Sequence, residues 1–270
     1  MMKKIVKKIK ENKKYRGIAD EVVEGEVKRY LKEGGDKISS IKEVRKRLHL
    51  KYASFQTKGK RKIERYLDEL KKDVNNFEII DKLLSVSLST KERLSDYEEI
   101  YSRIFNVVGA GDGGVVASRV VDLGGGLNGF SFSYMNLDNL TYYSYDIDVE
   151  DSRLLNQFFK IMKSNGLNGK ADILDIRNSD EVKKLPKSDV VFLFKVVDVI
   201  DDKGHGNSEK LIEVLFDKTK FVVVSFATRT ITRRKMNYPQ RKWFELMCER
   251  RGWKFKRLDF DNEIFYVIES

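Results

Sequence analysis

Two clusters of glycine lie close together in the middle of the sequence, within VVGAGDGGVVASRVVDLGGGLNGF at 107–130. Each cluster can be read as G-x-G-x-x-G, a spacing found in loops that hold nucleotides. The second cluster, with Gly124 and Gly126, directly follows the apolar run RVVDL, whereas the first precedes that run. Ligand loops of open α/β sheets lie at the carboxyl ends of the strands. We therefore predict that the second cluster binds a ligand and that the first is a flexible link.

Acidic residues stand near the ends of the first three apolar runs. Asp146 ends the second run, 20 residues after Gly126, and an acid at this offset can accept hydrogen bonds from both hydroxyls of a ribose. Asp122 precedes the glycine loop, and we expect it to face the amino-acid end of the ligand together with the glycine backbone. Asp175 follows the third run and is expected near the adenine amino group, with Asp172 as the competing choice.

The ligand that this arrangement favours is S-adenosylmethionine. A dinucleotide needs a long helix after the glycine turn, with its N-terminus facing the pyrophosphate, and only the 11 residues 127–137 are available for it. The pattern D-x-G-G-G with an acid on the second run suits S-adenosylmethionine better. Asp148 opens the helical stretch DVEDSRLL and is interpreted as an N-cap.

Short apolar runs alternate with helical stretches after residue 118, which is typical of a parallel sheet covered on both faces. The terminal segments KFKRLDFD and NEIFYVIE predict an antiparallel pair that closes the sheet. The expected fold class is α/β, a Rossmann-like methyltransferase sheet of seven strands with a closing antiparallel hairpin and an N-terminal helical domain. The five parallel strands are expected at 119–123, 141–147, 170–174, 189–194 and 221–226.

The first third of the chain has helical spacing and carries the whole basic surplus. Residues 1–95 contain 27 Lys and Arg against 15 Asp and Glu, whereas residues 96–270 contain 26 against 27. This asymmetry favours a polyanionic partner, with solvated helix faces as the alternative. We predict a basic, RNA-binding helical domain at 1–105, a glycine-rich link at 106–118 and a methyltransferase domain at 119–270.

Two basic segments are candidates for contacts with nucleic acid. The first, TKGKRKIER, lies in the helical domain, and the second, TRTITRRKMNYPQRK at 228–242, follows the fifth strand and contains no acid. A tyrosine in the second segment could stack on a flipped base, and the alternative for that segment is an exposed flexible loop. The candidates are Lys58, Lys60, Arg61, Lys62, Arg229, Arg233, Arg234, Lys235 and Tyr238.

Residue types exclude several other classes of protein. The single cysteine, Cys248, rules out a disulfide framework, and with only two histidines we expect no metal site. No apolar run approaches the roughly 18 residues of a membrane span, and the basic start MMKKIVKKIKENKK lacks the apolar region of a secretory signal. We therefore expect a cytoplasmic protein with no membrane partner.

Taken in order, these segments resemble the aminoglycoside-resistance methyltransferases that modify N7 of a guanine in the decoding centre of 16S ribosomal RNA. IVKKIKENKKY and KRLHLKY resemble the helical N-terminal domain of that family. LSTKERLSDYEEIYSRIF resembles its S-T-x-E-R segment, with Thr90, Glu92 and Arg93 in the matching places. VVDLGGGLNGF, YYSYDID, DVVFLFKVVDVID and FVVVSF match its methyltransferase motifs. The resemblance implies that Arg93 binds the cofactor carboxylate and that Gly124 lies along the methionine moiety.

The sequence departs from the family pattern at three places. Gly125 stands where the family usually has Cys, and Ala227 ends SFA where the family has S-F-P. Asp198, Asp201 and Asp202 stand where the family usually has Pro and Gln. We still expect the cofactor site despite these differences, but they leave open which base and which atom are methylated.

The resemblance implies S-adenosylmethionine-dependent methylation of a base nitrogen in small-subunit ribosomal RNA, with guanine N7 as the first expectation. Guanine N7 is an acceptor with a free lone pair, so positioning replaces a general base and no catalytic residue is singled out. The expected partner is an assembled ribosomal particle and the expected enzyme is a monomer. The alternatives are methylation of an exocyclic amine such as cytosine N4, a non-catalytic RNA-binding protein, and a small-molecule methyltransferase with a helical lid.

Overall fold

A mixed β-sheet forms the centre of the protein. The computed structural model describes residues 2–36, 39–52, 59–111, 117–201, 204–230, 234, 236 and 239–270. Within these residues seven strands form one sheet in the order β3-β2-β1-β4-β5-β7-β6. The strands are β1 (Arg119–Leu123), β2 (Leu140–Asp146), β3 (Leu167–Ile173), β4 (Val190–Phe194), β5 (Phe221–Ala227), β6 (Lys254–Asp259) and β7 (Glu263–Glu269).

This sheet confirms the predicted fold class. Strands β1 to β5 are parallel, and β7 pairs antiparallel with both β5 and β6. All five residues of β4 are buried, as expected for a strand that is covered on both faces. β3 begins at Leu167 rather than at residue 170, because Asn168 and Gly169 extend the pairing with β2 although they interrupt the apolar run.

Helices precede the sheet and then cover both of its faces. None of the described helices has the length and apolarity that a bilayer crossing requires. Those before β1 are α1 (Met2–Lys10), α2 (Asp20–Lys32), α3 (Ser40–Tyr52), α4 (Arg61–Leu70), α5 (Phe77–Leu84), α6 (Leu88–Arg93) and α7 (Tyr97–Gly111). Those after it are α8 (Val149–Ile161), α9 (Ser179–Val182), α10 (Val197–Ile200), α11 (Gly206–Leu215) and α12 (Lys242–Arg251), and a 3-10 helix at Asn128–Tyr134 follows the glycine loop.

The helical region before the sheet divides between two hydrophobic cores. Residues of α1 to α3 form a core of their own, which includes Val22, Val27 and Leu48. Residues of α4 to α7 instead belong to one core with a face of the sheet, where Leu67 and Tyr101 lie in the same cluster as strand residues. The two cores thus separate between α3 and α4, and the domain boundary at residue 105 stays a prediction.

Part of the predicted glycine-rich link is helical. Helix α7 continues to Gly111, so residues 106–111 are helical. Residues 112–116, which hold the rest of the first glycine cluster, lie outside the described residues. The described chain resumes at 117 and enters β1 at Arg119.

Gly169 allows α8 to lie directly on the sheet. A Cβ atom at this position would come within 2.3 Å of the ring of Phe159, which is buried on α8. Asn156 of the same helix is bound to β3, since its side chain accepts from Ala171 N at 2.9 Å and donates to Ala171 O at 2.8 Å. The glycine and the amide together determine how closely α8 approaches β3.

We expect Gly169→Ala to destabilise the protein by about 1–3 kcal/mol, because overpacking forces a buried ring out of its rotamer. Gly206→Ala is the matched control, since a Cβ atom there would meet nothing within 4 Å at the start of α11. Chemical denaturation of both variants measures the difference. Equal unfolding free energies for the two variants would contradict the packing account.

Candidate functional site

A cavity opens at the carboxyl ends of the parallel strands, where the strand order reverses between β1 and β4. This is the place where open α/β sheets bind ligands. Much of its lining comes from the loops after β1, β2, β3 and β4. They include residues 124–127, 146–148, 174–177 and 194–196. The second glycine cluster therefore lies in the cavity wall, as predicted.

The glycine loop adopts backbone conformations that favour glycine. Gly124 has φ +67° and Gly126 has φ +50°, values that other residues adopt only at a cost. A Cβ atom on Gly124 would come within 2.6 Å of Val196, whereas one on Gly126 would meet nothing within 4 Å. Gly124 thus permits close packing against the loop after β4, and Gly126 presents open backbone to the cavity.

Asp146 holds this loop from the end of β2. Its carboxylate accepts hydrogen bonds from the backbone N–H groups of Gly126 (2.9 Å), Ile147 (2.7 Å) and Asp148 (3.0 Å). Burial nevertheless raises the pKa of Asp146 above its ordinary value. A carboxylate has about four lone-pair sites, so Asp146 retains an acceptor for a ligand hydroxyl. The sequence predicted its place in the cavity but not its role in holding the loop.

Asp122 lies beneath the loop, and the structure does not place it among the residues that line the cavity. It is fully buried and accepts hydrogen bonds from Asn128 Nδ2 at 3.0 Å and from the hydroxyl of Tyr142. Burial raises its pKa to about 6. Asp122 is thus bonded to the residue that follows the glycine loop, and the ligand contact expected for it stays a prediction.

Arg93 reaches the cavity from α6 as half of a buried ion pair. Its Nε and Nη2 atoms donate to the two carboxylate oxygens of Glu263 at 2.8 and 2.9 Å, and both side chains are at most 4% exposed. Its guanidinium lies 5.0 Å from the ring centre of Phe194. Nη1 makes only a long 3.4 Å bond to Asn128, so this nitrogen keeps donor capacity for an anionic ligand group.

Lys195 is a cavity residue that sequence reasoning missed. It follows β4 with φ +56°, a left-handed conformation that is uncommon for a residue with a side chain. Its backbone N–H donates to Ser225 Oγ at 3.0 Å, and its ammonium lies 2.9 Å from Glu92 and 3.2 Å from Glu263. The positive φ of Lys195 is a property of the folded structure, and the sequence FLFKVV does not indicate it.

Asp175 lines the cavity, and Asp172 does not. The Asp172 side chain is half exposed and lies 2.9 Å from Lys170. Asp175 accepts from Arg177 Nε at 3.0 Å and from Arg29 Nη2 at 2.8 Å. Although burial alone would raise its pKa, these guanidiniums hold the pKa of Asp175 below its ordinary value. The structure thus favours Asp175 over Asp172 for the expected place, but with its carboxylate already paired.

Asp148 caps α8 as predicted. Its side chain accepts from the backbone N–H groups of Glu150 at 2.9 Å and Asp151 at 3.1 Å. Lys60 joins the same cluster, with its ammonium 2.8 Å from Asp148 and 2.7 Å from Asp151. The Lys60 ammonium is thus paired within the protein, and its contact with RNA stays a prediction.

The other residues that were predicted to contact RNA differ in their exposure and in their ion pairs. Arg61 and Lys62 are exposed at the start of α4, and Arg234 is exposed in the second basic segment. Arg229 is partly buried and pairs with Asp261 at 2.6 Å. Lys58, Arg233, Lys235 and Tyr238 lie outside the described residues.

Cys248 lies in α12 and takes no part in the cavity. Burial raises the pKa of its thiol to about 12, so the nucleophilic thiolate is not formed near neutral pH. The described residues contain no group of three His, Cys, Asp or Glu side chains placed to hold a metal ion. The described polar groups that line the cavity are carboxylates, guanidiniums, an ammonium, hydroxyls and backbone amides, which can bind and orient a ligand.

The cavity lining combines charged groups with apolar side chains, and this combination suits S-adenosylmethionine. Arg93 and the open backbone of Gly126 suit a carboxylate and an amino group, and Asp146 suits the hydroxyls of a ribose. The apolar part of the lining suits a flat base and includes Ile18, Ile147, Leu174, Ile176, Val199 and Ile200.

Known proteins are similar to this chain in sequence along most of its length. The family model described as Ribosomal RNA methyltransferase (FmrO) matches residues 11–267. A protein of Proteus mirabilis is 27% identical over 252 residues, which cover 84% of this chain and 83% of the relative. A protein of Frankia casuarinae is 24% identical over 267 residues, covering 95% and 89%. Both are named 16S rRNA (guanine(1405)-N(7))-methyltransferase.

Two solved structures share the fold along the whole chain. The 16S rRNA methyltransferase RmtF, solved in complex with S-adenosyl-L-homocysteine, has a TM-score of 0.78 at 22% identity and covers 99% of this chain and 97% of its own. The 16S rRNA methylase RmtB has a TM-score of 0.73 at 20% identity and covers 100% and 98%. At these identities the two structures bear on the fold.

We expect Asp122→Asn to change the pH dependence of stability. The ordinary pKa of the group is 3.8 and the folded value is about 6, so ionisation of Asp122 destabilises the folded state as pH rises through this window. The variant lacks that ionisation and should gain about 3 kcal/mol relative to the wild type between pH 4 and pH 7. Urea unfolding across this range measures the gain. Parallel stability curves for the two proteins would show that Asp122 does not titrate as described.

Proposed function

The chain belongs to the FmrO family of ribosomal RNA methyltransferases, and from that premise we propose that it methylates N7 of a guanine in 16S ribosomal RNA near the decoding centre. The methyl donor is S-adenosylmethionine. The observation that carries the proposal is the cavity that brings Arg93, the glycine loop and Asp146 together at the switch point of the sheet. The names of the curated relatives support the target atom.

The chemistry of this reaction agrees with the residues present. S-adenosylmethionine supplies an electrophilic methyl group on a sulfonium. A bond forms between N7 and the methyl carbon while the carbon–sulfur bond breaks, and the positive charge passes to the guanine ring. No proton leaves N7, so no general base is needed. The described cavity lining contains neither histidine nor cysteine.

The task of the protein is to hold the reacting atoms in line. Phe194, Lys195 and Val196 lie at the end of β4 beside the glycine loop, where a base entering from the sheet edge would arrive. Proximity and orientation of this kind are worth up to roughly 7–11 kcal/mol. The Arg93–Glu263 pair and the bond from Lys195 to Ser225 make this edge rigid before the substrate arrives.

We also propose where the RNA lies and in what form. Arg61 and Lys62 at the start of α4 and Arg234 after β5 are exposed and would bind phosphates of the RNA. The basic surplus of residues 1–95 supports this arrangement. The substrate would be an assembled small-subunit particle in the cytoplasm, and the enzyme would act as a monomer.

We expect incubation of unmodified 30S subunits with the protein and S-adenosylmethionine to form 7-methylguanosine at one position. Nucleoside mass spectrometry identifies the product, and borohydride–aniline cleavage with primer extension locates it. Asp146→Ala should bind cofactor roughly tenfold to a hundredfold more weakly, because it loses charge-assisted hydrogen bonds worth about 1.5–3 kcal/mol. Asp172→Ala is the matched comparison and should leave cofactor affinity unchanged, because Asp172 is half exposed on β3 and does not line the cavity.

Three other outcomes would contradict the proposal in different ways. N4-methylcytidine would indicate an exocyclic amine as the target. A product on naked 16S RNA but not on subunits would exclude the assembled particle. Cofactor binding without any methylated nucleoside would indicate a small-molecule substrate or a non-catalytic RNA-binding protein.

We expect the double variant Arg61→Gln/Lys62→Gln to bind RNA more weakly and with a flatter salt dependence. Each lost phosphate contact lowers the slope of log K against log salt by about 0.7–0.9. Lys254→Gln/Lys256→Gln removes the same charge from β6 at the far edge of the sheet, where both lysines are exposed. Filter binding over a salt series compares the two. Identical slopes would show that the start of α4 is only a solvated surface.

A further inference from the structure

Part of the cavity wall comes from the N-terminal unit formed by α1, α2 and α3. Residues 17–19, just before α2, run antiparallel to the segment that follows β2. Ala19 N donates to Ile147 O at 2.9 Å, and Val149 N donates to Gly17 O at 2.9 Å. Between these two bonds Ile18 is 2% exposed and lines the cavity. The unit thus adds one short strand-like contact to the edge of the cofactor site.

Gly17 makes this close approach possible. A Cβ atom at this position would come within 2.6 Å of the carboxylate of Asp148. That carboxylate is already committed, since it caps α8 and pairs with Lys60. A larger residue would separate the N-terminal unit from the loop after β2.

A second junction joins the same unit to the loop after β3. Arg29 of α2 donates to Asp175 at 2.8 Å, and Arg177 donates to Glu26 of α2 at 2.6 Å. Glu26 is 1% exposed, so its charge depends on these guanidiniums. Asp175 and Arg177 both line the cavity. The N-terminal unit therefore contacts the loops after β2 and β3, and both loops line the site.

We propose that Ile18 contacts the adenosyl part of S-adenosylmethionine and that the α1–α3 unit closes one side of the cofactor site. This inference rests on the proposed function, because it assumes that S-adenosylmethionine is the ligand. The unit has its own hydrophobic core. Two partly buried residues from the sheet region pack against this core, namely Ile147 just after β2 and Ile173 at the end of β3.

Cofactor binding and docking of the α1–α3 unit are then linked. If a ligand contacts Ile18 only when the α1–α3 unit is docked, docking raises the affinity for that ligand. The bound ligand then favours docking by the same factor. The α1–α3 unit carries much of the basic surplus in the first third of the chain. A bound cofactor would thus orient a surface that meets RNA, and the enzyme would engage its substrate with the methyl donor in place.

The test is calorimetric titration of the full-length protein with S-adenosylhomocysteine. Ile18→Ala should bind roughly three- to tenfold more weakly than the wild type, because the adenosyl group loses an apolar contact. Ile9→Ala is the matched control, since Ile9 is buried in the same core but does not line the cavity. It should lower thermal stability and leave the affinity within about twofold.

Hydrogen exchange on the wild type gives a second measurement that needs no variant. The amides of Ala19 and Val149, whose bonds cross the junction, should exchange more slowly with S-adenosylhomocysteine bound. Equal affinity of Ile18→Ala and wild type, or unchanged exchange at both amides, overturns the inference and leaves the proposed function standing. A wild type that does not bind S-adenosylhomocysteine overturns both.

Discussion

The ion pair between Arg93 and Glu263 is the constraint on which most of the site depends. A guanidinium does not lose its proton in a protein, so an arginine that is 4% exposed requires a carboxylate beside it. The two hydrogen bonds of 2.8 and 2.9 Å meet this need and join α6 to the first residue of β7. Removing one member of such a pair leaves an uncompensated buried charge, at a cost of about 3–5 kcal/mol.

The same pair determines the arrangement of the neighbouring elements. Glu263 also accepts from the hydroxyl of Ser225 on β5 and lies 3.2 Å from the ammonium of Lys195. Burial alone would raise the pKa of Glu263, but Arg93 and Lys195 hold it below its ordinary value. Strand β7 is thereby held beside β5, and the residue after β4 is held in its left-handed conformation. The same group of charges therefore contributes both to the binding cavity and to the junction of β7 with β5.

Asn128 connects this centre to the polar network beneath the glycine loop. Its Oδ1 accepts from Tyr97 at 3.1 Å and from Arg93 at 3.4 Å, and its Nδ2 donates to Asp122 at 3.0 Å. The side-chain amide of Asn128 thereby connects the guanidinium of Arg93, which faces the cavity, to the carboxylate of Asp122 beneath the glycine loop. Because every member is buried, each depends on the others for its hydrogen bonds, and the loop is held in shape before a ligand binds.

Much of this protein could be predicted from the order of residues along the chain. Apolar runs alternating with helical stretches indicated a parallel sheet, and the position of RVVDL relative to the glycines indicated which cluster lines the cavity. Asp146 was predicted because an acid at the end of the second strand, 20 residues after Gly126, can accept hydrogen bonds from the hydroxyls of a ribose. These predictions rest on local periodicity and on short spacings, which do not depend on distant contacts.

Other features were decided only when distant segments came together. Lys60 and Arg29 look like free basic residues in the sequence, yet they pair with carboxylates 88 or more positions away. Asp122 and Asp146 are similar acids at strand ends, and only packing placed one under the loop and the other in the cavity. The division of the helices between two cores and the entry of Ile18 into the site have the same cause. Burial and pairing belong to neighbours in space, and a chain that is read one residue at a time does not show which neighbours those will be.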